Sequence, residues 1–382
     1  MSRKLTGAHV VVVGAGVMGT CVALRLAESG ARVTLVDETY PAGGTSKAAF
    51  GWINAFDKGP RAVFDLHVRA MDEYQRLLSE TGGDWATFHG SIHWADRDDA
   101  TRVADLRGAV AELRGWDVTV DELSVDGLRA IEPDLRLDTE RVDSVFVVRQ
   151  GGHAYVVPLV NALLDRAANR HDSRYLRGRV ARLIAGDRPA VLLEDGVRID
   201  ADRVVLAAGS GAQALARGVG LDIPIESVPG NQTVTAPAPV SLDRVVLAPG
   251  VSLRPDGGGR LMIGTDQLTQ SEQVRHLAID DPLVTEALRR ARAIVPALAD
   301  IPVEGTRSGV RAIPQGGLPV VGESAQAPGI YFAVTHNAVT LAPALASLIA
   351  DDLGGQAADL EGFRPDRFAN RDTAGPLAST AR

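Results

Sequence analysis

Gly14, Gly16 and Gly19 stand in the spacing G-x-G-x-x-G, with Val17 and Met18 in the gap, directly after the apolar run HVVVV at residues 9–13. Glycines so spaced let a strand-to-helix turn lay a pyrophosphate against a helix N-terminus. Asp37 follows 18 residues after Gly19, with Glu38 beside it. An acid at that distance accepts hydrogen bonds from a ribose diol. The chemistry is that of a dinucleotide, and two kinds fit. A nicotinamide coenzyme comes and goes as a substrate, whereas a flavin stays and reacts in place. Taken alone, the turn also suits a plain strand–helix junction.

Other reactive side chains are few. Lys4, Lys47 and Lys58 are the only lysines, so lysine chemistry has few candidates. Cys21 is the only cysteine, which excludes an intrachain disulfide and argues against a thiolate metal cluster. Its position in the first helix reads as core. His89 and His93 share i, i+4 spacing, but TFHGSIHW reads as strand and turn, so no metal pair is expected there. Asn231 and Gln232, in VPGNQ, suit either a pocket wall or sheet hydrogen bonding.

The elements that must position these groups follow from periodicity. Residues 9–13 read as a buried strand, 17–29 as a helix ended by Gly30, and ARVTLVDE as a second strand ending at Asp37, a βαβ opening. Phe64, His67, Met71, Tyr74 and Leu78 recur at helical spacing over 61–81. VVPLVNALLDRAANR reads as another helix, and Asp281–Pro282 caps a further one to about residue 295. The strand GIYFAVTH precedes a last helix over 338–352. Residues 84–148 mix short β-like runs with helical patches, and the tail, residues 373–382, has no periodicity.

Composition narrows the function classes. The 382 residues are 45% hydrophobic and 23% charged, an ordinary soluble balance. A formal net charge of −8 argues against a nucleic-acid partner. The N-terminal apolar run is broken by Gly14 after about six residues, too short for a signal-peptide core. No stretch approaches the roughly 18 apolar residues of a membrane span. The expectation is a soluble, cytoplasmic protein.

Further segments join the glycine turn in a fixed order: GGTSKAAFGWINA, RVVLAAGSGAQALA, IPIESVPGNQ, GVRAIPQGGLPVVG and THNAVTLAPALASLIADDLGG. Together they resemble the D-amino-acid oxidase superfamily of FAD enzymes, in its glycine oxidase and sarcosine oxidase branch, over nearly the whole chain. The resemblance implies an α/β fold, with a Rossmann-like FAD-binding domain interwoven with a substrate domain on a largely antiparallel β-sheet. The FAD domain would take residues 1–84, 146–222 and 306–382, and the substrate domain 85–145 and 223–305.

It also implies roles. Gly14, Gly16, Val17, Met18 and Gly19 would hold the FAD pyrophosphate, and Asp37 with Glu38 the adenosine ribose. Thr45, Ser46 and Lys47 would meet phosphate or flavin, Lys47 being the one lysine near the cofactor and a candidate catalytic charge. Val180 would touch adenine through its backbone, and Ala208 and Gly209 would let the flavin pass. Asn337, Ala338, Val339 and Thr340 open the last helix, whose amides and dipole would stabilise the anionic edge of the reduced ring; capping its own helix is the alternative for Thr340. His336 is a candidate for flavin or substrate contact, and His153 with Tyr155 for pocket lining. Arg311, six residues before Gly317, matches the family's carboxylate-binding arginine, with Arg307 four residues earlier on the same strand.

The reaction so implied is hydride transfer from the carbon beside an amine to flavin N5, giving an imine that water hydrolyses. The substrate would be an amine carrying a carboxylate, and the acceptor oxygen. FAD would be non-covalent, because Cys21 cannot replace the C-terminal cysteine to which some relatives attach it. A flavin dehydrogenase with another acceptor, an FAD-holding module without turnover, and a homo-oligomer all remain open. An NAD dehydrogenase is the weakest reading, since it gives the later segments no task. Two departures stand out: the lysine that sarcosine-oxidase-like members hold over the flavin has no counterpart after Lys58, and Ala338 replaces a glycine before the last helix.

Overall fold

A computed structural model describes residues 5–265 and 276–368. The aperiodic tail lies outside them.

Two large sheets organise the chain. The first has six strands, in the order Val320–Glu323, Ile330–Val334, Arg203–Leu206, His9–Val13, Arg32–Asp37 and Ser173–Arg177. All its pairings are parallel except that of Val320–Glu323 with Ile330–Val334. Val10, Val11, Val12 and Val13 are buried because this strand lies inside a sheet covered on both faces. The helix Val17–Glu28 returns over it and packs on the last helix, Ala338–Leu353. Cys21 is 2% exposed within that layer.

The second sheet has eight strands, in the order Val303–Pro314, Ile225–Thr235, Leu261–Gly264, Val251–Pro255, Val245–Ala248, Ser91–Asp96, Val142–Val148 and Val120–Leu123. It is antiparallel apart from the parallel contact of Val245–Ala248 with Ser91–Asp96, so it is mixed rather than purely antiparallel. One face packs on the helix Pro282–Ile294 through Val284, Ala287, Leu288 and Ala291. Asp281 caps that helix, accepting from Leu283 N at 2.9 Å. The other face turns toward the first sheet, with Phe146 and Val148 entering the core around the helices Arg61–Thr81 and Val156–Arg170.

The helices read from periodicity over 61–81, 156–170, 281–295 and 338–352 are found at Arg61–Thr81, Val156–Arg170, Pro282–Ile294 and Ala338–Leu353. The mixed stretch before residue 148 holds the helix Ala100–Gly115 between sheet strands.

Candidate active site

The glycine turn is built by exclusion. Gly14 has φ +105°, and a Cβ on it would lie 2.4 Å from the Ala207 carbonyl oxygen. A Cβ on Gly19 would lie 1.8 Å from the carbonyl oxygen of Gly14. These two glycines therefore let the turn, the first helix and the end of Arg203–Leu206 close on one another. Gly16 differs: its nearest neighbour is Ser46 Oγ, 3.1 Å from where a Cβ would stand. The helix begins at Gly16 with no side-chain cap and no acid in its first turn. Apart from Ser46 Oγ, which accepts from Val17 N, that leaves its positive end clear for a phosphate, and the cradle fits the pyrophosphate of FAD.

Around this turn the structure gathers several of the sequence-derived residues. Asp37 Oδ2 accepts from Ala15 N at 2.8 Å, and its Oδ1 from Thr39 N at 2.9 Å. The carboxylate is thus fixed beside the turn, its Oδ1 also accepting from Thr39 Oγ1 at 3.0 Å. Gly178 N donates to the Asp37 carbonyl at 2.8 Å, which brings the strand Val180–Ile184 to the same corner. Glu38 is exposed and pairs with Arg179 at 3.2 Å. Val17 N donates to Ser46 Oγ at 3.1 Å, joining the short turn Thr45–Ala48 to the helix end where Met18 and Gly19 follow. Ala208 and Gly209, with φ +54° at the glycine, leave the strand beside Gly14.

The eight-stranded sheet closes over Thr45–Ala48. A Cβ on Gly309 would lie 3.0 Å from Thr45 Cα and 3.2 Å from Ala48 Cβ, and Thr45 Oγ1 donates to the Val310 carbonyl. Alternation puts Arg307 and Arg311 on the same face as Gly309. Arg311 runs past Gly230, its Nε 3.7 Å from where a Cβ there would stand. It is half-buried, and burial pushes its guanidinium below the ordinary range while the charge of Glu226 opposes this. Arg307 turns aside to Asp256, which it meets at 2.5 and 3.2 Å.

The last helix supplies the third wall. Asn337 is its N-cap and makes no side-chain cap bond; Ala338 and Val339 follow in its first turn. Thr340 does not cap its own helix: its Oγ1 donates to the Trp52 carbonyl at 3.1 Å. Tyr74 Oη donates to the Val339 carbonyl, which fixes the helix Arg61–Thr81 to the same turn. His336, just before the helix, is pushed down to about 4, first by burial and then by the charges of Arg311 and Lys58.

Lys47, expected to meet phosphate or flavin, contacts Tyr40. Its Nζ lies 3.4 Å from Tyr40 Oη and 5.6 Å from the centroid of that exposed ring. The lysine whose charge reaches His336 is Lys58. Sequence reasoning also passed over Arg254, 1% exposed, which pairs with Asp256 at 2.9 Å and donates to the Phe50 carbonyl. His153 lies under this cluster, edge-on to Tyr155 with centroids 5.1 Å apart, and is pushed down to about 3, mainly by burial. Lysine scarcity was the one sequence signal that could have pointed to Lys58.

The helix N-terminus after Gly16 carries no acid in its first turn, Asp37 is fixed beside it, and Arg311 lies on the sheet that closes over Thr45–Ala48. The chain belongs to the FAD dependent oxidoreductase family, whose model matches residues 9–352. It is 30% identical to a glycine oxidase of Pseudomonas aeruginosa, the alignment covering 91% of this chain and 95% of that protein. It is 26% identical to an opine oxidase subunit from Rhizobium meliloti, over 94% of this chain and 97% of that one. The crystal structure of glycine oxidase from Geobacillus kaustophilus superposes with a TM-score of 0.83 at 26% identity, covering 94% of this chain and 99% of that one. The protein is an FAD-dependent oxidoreductase of Rossmann-like α/β fold. No helix among the described residues is long and apolar enough to cross a membrane.

Proposed function

We propose that the protein oxidises an amine carrying a carboxylate, with Arg311 as the anchor of that carboxylate. The observation that carries this reading is the placement of Arg311. It stands two residues beyond Gly309, where the sheet touches Thr45–Ala48, and its charge acts on His336 at the head of the last helix. A guanidinium there meets a carboxylate through two parallel charge-assisted bonds. Glycine oxidase and opine oxidase relatives support an amino-acid-like substrate.

When bound, FAD supplies the acceptor for the hydride on the carbon beside the amine. The chain's own residues hold and orient. Gly14, Gly16, Val17, Met18 and Gly19 would line the pyrophosphate; the Val17 N–H already donates to Ser46 Oγ, so the amides of Gly16 and Met18 would meet it. Asp37 takes the ribose, the Val180 backbone the adenine, and Ala208 with Gly209 the passage toward the ring. Asn337, Ala338, Val339 and Thr340 present a positive helix end toward the ring edge. Two cations, Arg311 and Lys58, act on His336, which stays neutral near pH 7. Cys21, buried and pushed up to about 12, offers no thiolate for attachment, so FAD is held without a covalent bond. Oxygen as acceptor and a cytoplasmic location complete the reading.

An anaerobic screen of amino acids and secondary amines tests it, scored by loss of flavin absorbance and then by readmission of air. A carboxylated amine should bleach the protein and air should restore the colour, with FAD released on denaturation. Full FAD occupancy with no amine able to bleach it overturns the reading. Recovery only with an added acceptor makes the enzyme a dehydrogenase.

A further inference from the structure

Arg311 on the sheet and Lys58 in the segment before Arg61–Thr81 both act on His336 at the head of the last helix. The segment after the strand Trp52–Ile53 runs to Lys58, just before the helix Arg61–Thr81. Two contacts fix its course. The Trp52 carbonyl accepts from Thr340 Oγ1, setting the segment against the head of the last helix. Phe56, two residues before Lys58, stacks on His93 with ring centroids 4.0 Å apart. Directly partnered residues share a face of a sheet. Following them from Arg311 through Val228, Met262, Arg254 and Leu247 sets His93 on the face that carries Arg311. The segment is therefore held between the head of the last helix and the sheet face that also carries Arg311, which Phe56 meets at the strand Ser91–Asp96.

Lys58 is half-buried, and among the described residues it has no hydrogen-bond or ion-pair partner; only the charge of adjacent Asp57 favours its ammonium, against the burial that lowers it. The remaining cations of that face are occupied, since Arg307 and Arg254 share the buried Asp256. Lys58 also acts on His67, which is wholly buried and whose Nε2 has no partner among the described residues. His67 and His336 are both pushed down to about 4, chiefly by burial, so neither competes for an anion near pH 7. A half-desolvated ammonium without a counter-ion is costly, and a ligand anion offsets that cost.

We propose that Lys58 is a second anion-binding group of the substrate pocket, and that the substrate is a secondary amine bearing two carboxylates, one held by Arg311 and the other by Lys58. This rests on the oxidation of a carboxylated amine argued above, and its test separates the two.

Two matched pairs of probes differ by one carboxylate: glutarate against butyrate for binding, and iminodiacetate against N-methylglycine for turnover. Glutarate should raise the thermal midpoint of the FAD-loaded enzyme more than butyrate does, and kcat/KM should favour iminodiacetate. Lys58→Met should remove glutarate's excess and cut kcat/KM for iminodiacetate by about 10- to 100-fold more than for N-methylglycine, the worth of a hydrogen bond to a charged group. Lys58→Arg should restore much of both, which guards against a folding defect in the first variant. Equal shifts with glutarate and butyrate in the wild type overturn the proposal, as do equal losses on both amines in Lys58→Met. If neither amine is oxidised but glutarate's excess exists and depends on Lys58, the anion subsite stands and the oxidation reading fails.

Discussion

Replacing Arg311 by leucine removes the guanidinium and keeps an apolar stem on the sheet face beside Gly230. Breaking a fully buried ion pair costs about 3–5 kcal/mol, because the other charge is left stranded. Arg311 is only half-buried, so the lower end applies, about 3 kcal/mol. At roughly 1.4 kcal/mol per decade, kcat/KM for a carboxylated amine should fall on the order of a hundredfold. Arg311→Lys, which keeps the charge but loses the fork, should fall by about tenfold. The assay is steady-state oxidation of a carboxylated amine beside its uncharged counterpart, with FAD content measured on every sample. The uncharged amine should lose much less, and FAD should stay bound, because the pyrophosphate cradle is made by other elements. Equal losses on both amines refute the carboxylate anchor and leave Arg311 a structural residue, with a plain amine as substrate.

Two further outcomes test the frame around it. Gly19→Ala should cost on the order of 3 kcal/mol and abolish FAD binding, since its Cβ would lie 1.8 Å from a backbone oxygen, whereas Gly16→Ala meets only a movable hydroxyl and should fold while binding FAD more weakly. Urea midpoints and FAD retention distinguish the two; equal midpoints refute the packing role of Gly19. Stability should also fall with acid. His93 and His153 are pushed down to about 3, and His67 and His336 to about 4, in each case chiefly by burial. Unfolded imidazoles take up protons below about pH 6.5 while these remain neutral, so the unfolded chain binds more protons and stability declines as pH drops from there toward 4. His93 alone should cost up to about 3 kcal/mol by pH 4, and a urea midpoint that stays flat over that window contradicts the buried neutral state.

What the sequence disclosed, and what it hid, divides by the range of the physics involved. The glycine turn was legible because its spacing is local and a Cβ on Gly19 would meet the Gly14 carbonyl oxygen, although the Ala207 carbonyl that crowds Gly14 comes from a distant strand end. Arg61–Thr81 was legible from its stripe of Phe64, His67, Met71 and Tyr74, whereas Ala100–Gly115 buries only Val110 and Leu113 and so carries no stripe to read. Charge is different, because a cation's role depends on what folds around it. Lys47 stands next to the phosphate-side turn in sequence, and only the fold shows that its Nζ meets Tyr40 Oη, 3.4 Å away. Lys58 looks like a loop lysine until the Trp52 carbonyl finds Thr340, 288 residues later, and Phe56 finds His93 on the far sheet. Arg254 is hidden in the same way, its burial set by strands and a loop that meet only in the fold. The turn at the heart of the cofactor cradle is therefore local, while its walls come from distant segments. The substrate face is long-range, because its cations acquire their neighbours only when the sheet closes over Thr45–Ala48. Sequence could thus point to FAD from one turn and a few ordered segments, whereas the surroundings of Lys58 and Arg254 appear only in the fold.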